Sequence, residues 1–104
     1  MPWYIYLAYL LGGALLANAI PHLIAGIAGE SFPSPFASPP FKGLSSPRVN
    51  VAWALVNLVC AYLLLLRVRP LDLRNWPHVG VCFAGFAAMA FQCSRSLSRS
   101  SQHR

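Results

Sequence analysis

Charge is what this chain has least of. Only 10% of its 104 residues are charged, and just two of those, Glu30 and Asp72, are acidic. Soluble domains carry roughly a quarter charged residues, so there is too little charge here to clothe a folded surface in water. Both acids fall outside the long apolar runs, which disfavours proton-coupled export through an embedded carboxylate. The runs also contain no HxxxH, CxxC or acidic ligand set, so a dedicated metal or haem site, and with it a resident cofactor, is not expected. No nucleophile stands beside a base, and there is neither a carboxylate pair nor a phosphate loop. An enzyme is therefore not the expected class. Cysteine is scarce and odd in number. Cys60, Cys82 and Cys93 lie in or at the edge of apolar stretches, where the residue usually packs as a small hydrophobe.

What the chain has in quantity is apolar surface: 57% hydrophobic residues and a mean hydropathy of +0.53. About 20 apolar residues cross the ~30 Å hydrocarbon layer as a helix, and three such stretches are present. The expected fold is all-α, a polytopic integral membrane protein with three transmembrane helices at about 3–28, 48–66 and 76–93. These form one membrane domain, 1–93, with a proline-rich loop at 30–47 and a basic turn at 67–75. The tail, 94–104, is short, basic and serine-rich. It is expected to be disordered, because it has no means of burying apolar area.

The first stretch opens with Trp3, Tyr4, Tyr6 and Tyr9, aromatic residues suited to the headgroup level. Ala17-Asn18-Ala19 resembles a signal-peptide cleavage site. However, residues 2–16 hold no Lys or Arg, and apolar character continues through Leu23, Ile24 and Ile27, so a retained span is the expectation. Pro21 removes a backbone donor and should kink the helix. In the loop, Pro33, Pro35, Pro39, Pro40 and Pro47 forbid a long helix or a ladder strand and favour an extended course. Phe32, Phe36 and Phe41 should make this loop lie down on the protein or the membrane interface. Ser46-Pro47 reads as an N-cap followed by proline at the first helical position, and Asn75-Trp76-Pro77 repeats the signal for the third helix.

The eight basic residues flank the apolar runs and do not interrupt them, a membrane pattern and not a nucleic-acid face. Three crossings put three Lys/Arg on the side of the N-terminus and basic turn, and five on the side of the loop and tail. The positive-inside rule then places the N-terminus outside and the C-terminus inside.

Each helix carries polar or small residues at helical spacing. Asn18, His22, Gly26 and Gly29 step by four, four and three; Asn50, Trp53, Asn57 and Cys60 by three, four and three; His78, Cys82, Gly85, Met89 and Gln92 by four, three, four and three. Lipid tails cannot satisfy an amide or an imidazole, so these stripes should face one another within a bundle or across an oligomer interface. The candidate buried polar cluster is Asn18, His22, Asn50, Asn57 and Gln92. It serves either as interhelical glue or as the lining of a path. His22 is expected to be hydrogen-bonded to Asn18 or Asn50, and proton relay is the alternative. His22 and His78 belong to opposite ends of the membrane, on the order of 20 Å apart in depth, and cannot share a metal within one subunit. Cys60 and Cys82 are each about seven residues from the basic turn and form a candidate thiol pair.

The string Asn18-x-x-Pro21-His22-x-x-x-Gly26-x-x-Gly29-x-x-Phe32-Pro33-x-Pro35-Phe36, followed by Gly43-x-Ser45-Ser46-Pro47-x-x-Asn50-x-x-Trp53-x-x-x-Asn57, resembles a group of small uncharacterised bacterial multi-pass membrane proteins. The resemblance covers residues 18–57. It implies a bacterial cytoplasmic membrane and transfers no activity. The expected partners are the lipid bilayer and further copies of the chain or another membrane protein, with no nucleic acid. A structural or accessory role follows, and an oligomeric small carrier or channel with a polar path lined by inward-facing Asn, His and Gln is the competing class.

Overall fold

A computed structural model describes residues 2–35, 39 and 43–102, with 96–102 as backbone course only. Among the described residues there are three α-helices: α1, Trp3–Ile27; α2, Pro47–Tyr62; and α3, Trp76–Gln102. The last turn of α2 relaxes into a π-helical segment, Leu63–Arg67. The described residues contain no strand, and a lone antiparallel bridge joins Phe32 to Ser45.

The helix ends follow local chemistry. Ser46 caps α2 by accepting from the Val49 amide at 3.3 Å, with Pro47 directly behind it. Asn75 starts α3 by accepting from the His78 amide at 3.2 Å. Gly29, at φ 74°, ends α1. Its left-handed backbone turns the chain so that the amide of Glu30 bonds back to Ala25 O at 2.9 Å. α1 passes through Pro21 as one helix. α3 continues to Gln102, through much of the segment expected to be disordered. No glycine or proline follows Gly85, so once the apolar part has nucleated the helix, serine and arginine extend it at little cost.

α1 is the axis of the molecule. Both other helices pack on it, and no residue of α2 lies within 8 Å of α3, Cα to Cα, among the described residues. The α1–α3 contact is built on two glycines. A Cβ at Gly13 would collide with the backbone carbonyl of Cys82, and one at Gly85 with the carbonyl of Leu10. The two backbones touch directly at these points, the close approach that small residues permit in membrane bundles. On the other flank, a Cβ at Gly26 would meet Val51 Cγ2 at 2.5 Å and Pro47 O at 2.8 Å, and one at Gly12 would meet Leu65 Cγ at 2.6 Å.

Tyr9 does not anchor at the headgroups as its place in the aromatic N-terminal run suggests. It is fully buried with Ile5 and Leu65, and its hydroxyl donates to Arg69 O at 3.0 Å, tying the basic turn to α1. Trp3 and Tyr4 remain exposed.

α1 and the helix running Pro47–Arg67 are long and apolar enough to cross a membrane; α3 does not meet the same test. Only 39% of the apolar window of α1 and 28% of that of α2 is buried, whereas the core helix of a soluble protein is mostly covered. The uncovered part is made of large apolar residues, among them Leu11, Ile24, Leu55, Val56, Val59 and Leu66. This outward apolar belt is compatible with insertion of the two helices into a membrane.

Candidate functional site

The polar residues of α1 and α2 meet at two levels. At the first, Asn18 Nδ2 donates to Asn57 Oδ1 at 3.1 Å, and Asn57 Nδ2 donates to Trp53 O, one turn earlier on its own helix, at 2.8 Å. Asn57 is 1% exposed. Asn18 also accepts from the thiol of Cys93 on α3 at 3.8 Å, so this one side chain touches both flanking helices.

At the second level, one turn closer to the proline-rich loop, His22 Nδ1 and Asn50 Oδ1 are 2.7 Å apart. An amide oxygen accepts, so the imidazole proton sits on Nδ1 in this pair. The Asn50 amide nitrogen lies 3.1 Å from Phe32 O, 3.2 Å from Ser45 O and 3.1 Å from Ser46 O. Asn50 is fully buried and acts as the hub that holds both ends of the loop against α1. The Phe32 ring stands edge-on against the His22 ring, with centroids 5.2 Å apart. Behind it the hydroxyls of Ser34 and Ser45 are 2.5 Å apart and buried. The described start of the loop therefore lies down on the bundle, as expected, with Pro33 buried. Phe36 and Phe41 lie outside the described residues.

Asn18, His22, Asn50 and Asn57 are thus brought together, and of the two bonds open to His22 the structure makes the one to Asn50. Gln92 is not part of the cluster: it is exposed, and Cys93 takes the inward place. The cause is helical phase. From Gly85 the inward face of α3 continues in steps of four through Met89 to Cys93, and the single step back to Gln92 rotates that side chain by about 100°. The sequence signal that could have found this is Gly85 and Cys93, two small residues eight apart.

The thiol pair is overturned. Cys60 is on α2 and Cys82 on α3, helices that nowhere come within 8 Å, and a disulfide needs Cα atoms closer than about 7 Å. All three cysteines are free. His78 is far from His22, buried between the rings of Tyr6 and Tyr9 at centroid distances of 5.4 and 5.2 Å. The glycine contacts at Gly12 and Gly13, invisible to a search for polar stripes, are the other residues that sequence reasoning missed.

The arrangement has the chemistry of a clasp. The amides of Asn18, Asn50 and Asn57 are each engaged with a neighbouring side chain or carbonyl, and within this cluster of described residues no two groups are disposed as nucleophile and base. No protein-family model, curated protein or solved structure matches the chain.

Proposed function

We propose that this chain is a small three-span integral membrane protein with a structural or accessory role, in which the buried amides fix the packing of α1 on α2. The observation that carries this reading is the inverted distribution of polarity. Ile24 is 63% and Val59 is 59% exposed, while Asn50 and Asn57 are 0% and 1% exposed. A hydrocarbon solvent selects that arrangement, since an amide facing lipid would go unsatisfied. That α2 and α3 both rest on α1 and not on each other supports reading α1 as a retained span. α3 is the least apolar of the three, and its crossing is supported by its direction: Tyr6 lies beside His78 and Asn18 beside Cys93, so it runs parallel to α1 over the same depth.

In this reading the N-terminus is outside and the C-terminus inside a bacterial cytoplasmic membrane, following the basic bias of the loop and tail and the resemblance to small bacterial multi-pass proteins. The three helices assemble further as a homo-oligomer or with another membrane protein. Reporter fusions at the two ends test the span count: three spans give opposite sides, and reporters on the same side would reduce the count to two. Retention in membranes after alkaline carbonate extraction tests integration itself. A carrier or channel is the competing class, favoured by Asn18, which stays half-buried while touching both α2 and α3. Proteoliposome flux that Asn57→Leu abolishes would establish it, and no flux with any cation or amphiphile leaves the accessory role.

A further inference from the structure

Beyond their glycine crossing, on the side of the proline-rich loop, α1 and α3 border an open groove of about 330 Å³, with Ala17 and Cys93 in its lining. Its walls are Ile20, Pro21 and Ile24 on one side and Phe86 and Ala90 on the other, and Ser94 lines its polar end. Ile20 and Ile24 are exposed within it, so it is continuous with the outward apolar belt. An open, apolar-lined groove of this size suits a single hydrocarbon chain.

We propose that this groove seats one acyl chain of an anionic phospholipid, with the headgroup held at its basic end. The proposal rests on the membrane reading above. Its added content is charge and depth. Ser94 is followed by Arg95, which is exposed, and Arg99 comes one turn later on α3. Arg48 opens α2 at the same end of the molecule, against Glu30 as the one acid in that region. Since Cys93 is level with Asn18, Arg95 lies about two turns inside the end of α1, within the reach of a long side chain that extends toward the headgroups. Basic positions between helices on one side of a membrane recognise phosphate-bearing headgroups. At the other end of the molecule Arg74 already pairs with Asp72, whereas Arg95 has no carboxylate on it among the described residues.

The test is native mass spectrometry of the full chain purified in mild detergent and supplied with equal amounts of phosphatidylglycerol and phosphatidylcholine of the same acyl composition. Wild type should retain phosphatidylglycerol over phosphatidylcholine by about fivefold. Arg95→Gln should level the two. Ala90→Trp and Ile24→Trp, which fill the groove from opposite walls, should each reduce retention of both lipids, with helicity by circular dichroism unchanged. Two independent groove variants guard against a single failure to fold. Equal retention of the two lipids by wild type, or retention unaffected by both tryptophans, would overturn the site. So would a dimer that either tryptophan dissolves, since the groove would then hold a second copy. A chain that leaves the membrane on carbonate extraction refutes the membrane reading as well; one that stays and shows no lipid preference refutes the lipid site alone.

Discussion

Toward α2, helix α1 presents Asn18, His22 and Gly26; toward α3 it presents Leu10 and Gly13 through their backbones. The first interface is held by directional amide and imidazole bonds, the second chiefly by shape, with Gly13 and Gly85 letting carbonyls and Cα atoms meet and the Cys93 thiol adding one bond to Asn18. Directional bonds fix register, because a shift of one residue breaks them and leaves a buried polar atom unsatisfied. Close packing fixes distance and adds dispersion contacts along both helices. The polar interface also reaches beyond the helices: through Asn50 it secures Phe32 and Ser45 and so closes the loop over one end. The α1–α3 interface reaches the basic turn through Tyr9, which packs on His78 and donates to Arg69 O, and past its glycines it borders the groove.

The largest effect should come from breaking the glycine side. Gly85→Ala places a methyl group against the Leu10 carbonyl, and neither backbone can give way without separating the helices. A loss of about 3 kcal/mol, the upper end for overpacking, is expected. Gly80→Ala is the matched control. Nothing lies within 4 Å of a Cβ there, so it should gain up to about 1 kcal/mol from helix propensity. Thermal or steric-trap unfolding in detergent measures both, and equal behaviour of the two variants would refute the direct backbone contact.

Next is the hub of the polar side. Asn50→Leu leaves the buried His22 ring without its partner and removes the second donor to the carbonyls of Phe32, Ser45 and Ser46, which keep their bonds from the backbone amides of Ser45, Phe32 and residue 50, for a loss of about 1–3 kcal/mol. Hydrogen exchange should show the Phe32 and Ser45 amides losing protection, while those of α3 keep theirs. A double-mutant cycle on Asn18→Ala and Asn57→Ala should give a smaller coupling, about 0.6 kcal/mol, the average for interhelical bonds in a membrane protein. A coupling of zero would mean that Asn18 serves α3 and not α2. Least of all, Gln92→Leu should change stability by under about 0.5 kcal/mol, and copper-catalysed oxidation should produce no intramolecular Cys60–Cys82 disulfide.

Much of the scaffold was readable in advance because it depends on local chemistry. Ser46-Pro47 and Asn75 start helices wherever they precede an apolar run, and the clustered prolines of the loop forbid a helix in any context. The pairing of His22 with Asn50 was legible for a related reason: helical periodicity puts each on a stripe, and an amide in an apolar run must find a partner. Gln92 and Cys93 show where that reasoning stops. A stripe defined by steps of three and four drifts, and over four turns the choice between adjacent residues amounts to about 100° of rotation. Only the neighbouring helix settles it. Tyr9 failed for the same reason, since an aromatic residue near a helix start can face headgroups or core, and the sequence does not say which flank the basic turn will occupy. The course of α3 to Gln102 was missed because polar composition argued for disorder, whereas the absence of helix breakers decided the backbone.

Composition alone marked two stretches, α1 and Pro47–Arg67, as long and apolar enough to cross a membrane, where a helical form is required because every backbone amide must be bonded within its own segment. What only the tertiary structure decided is who touches whom. That α1 lies between α2 and α3, that Cys60 and Cys82 are held apart, and that a groove opens beside Pro21 depend on contacts between residues distant in sequence. Those contacts are set by steric fit at Gly13 and Gly85, and a glycine carries no mark of which backbone it will meet.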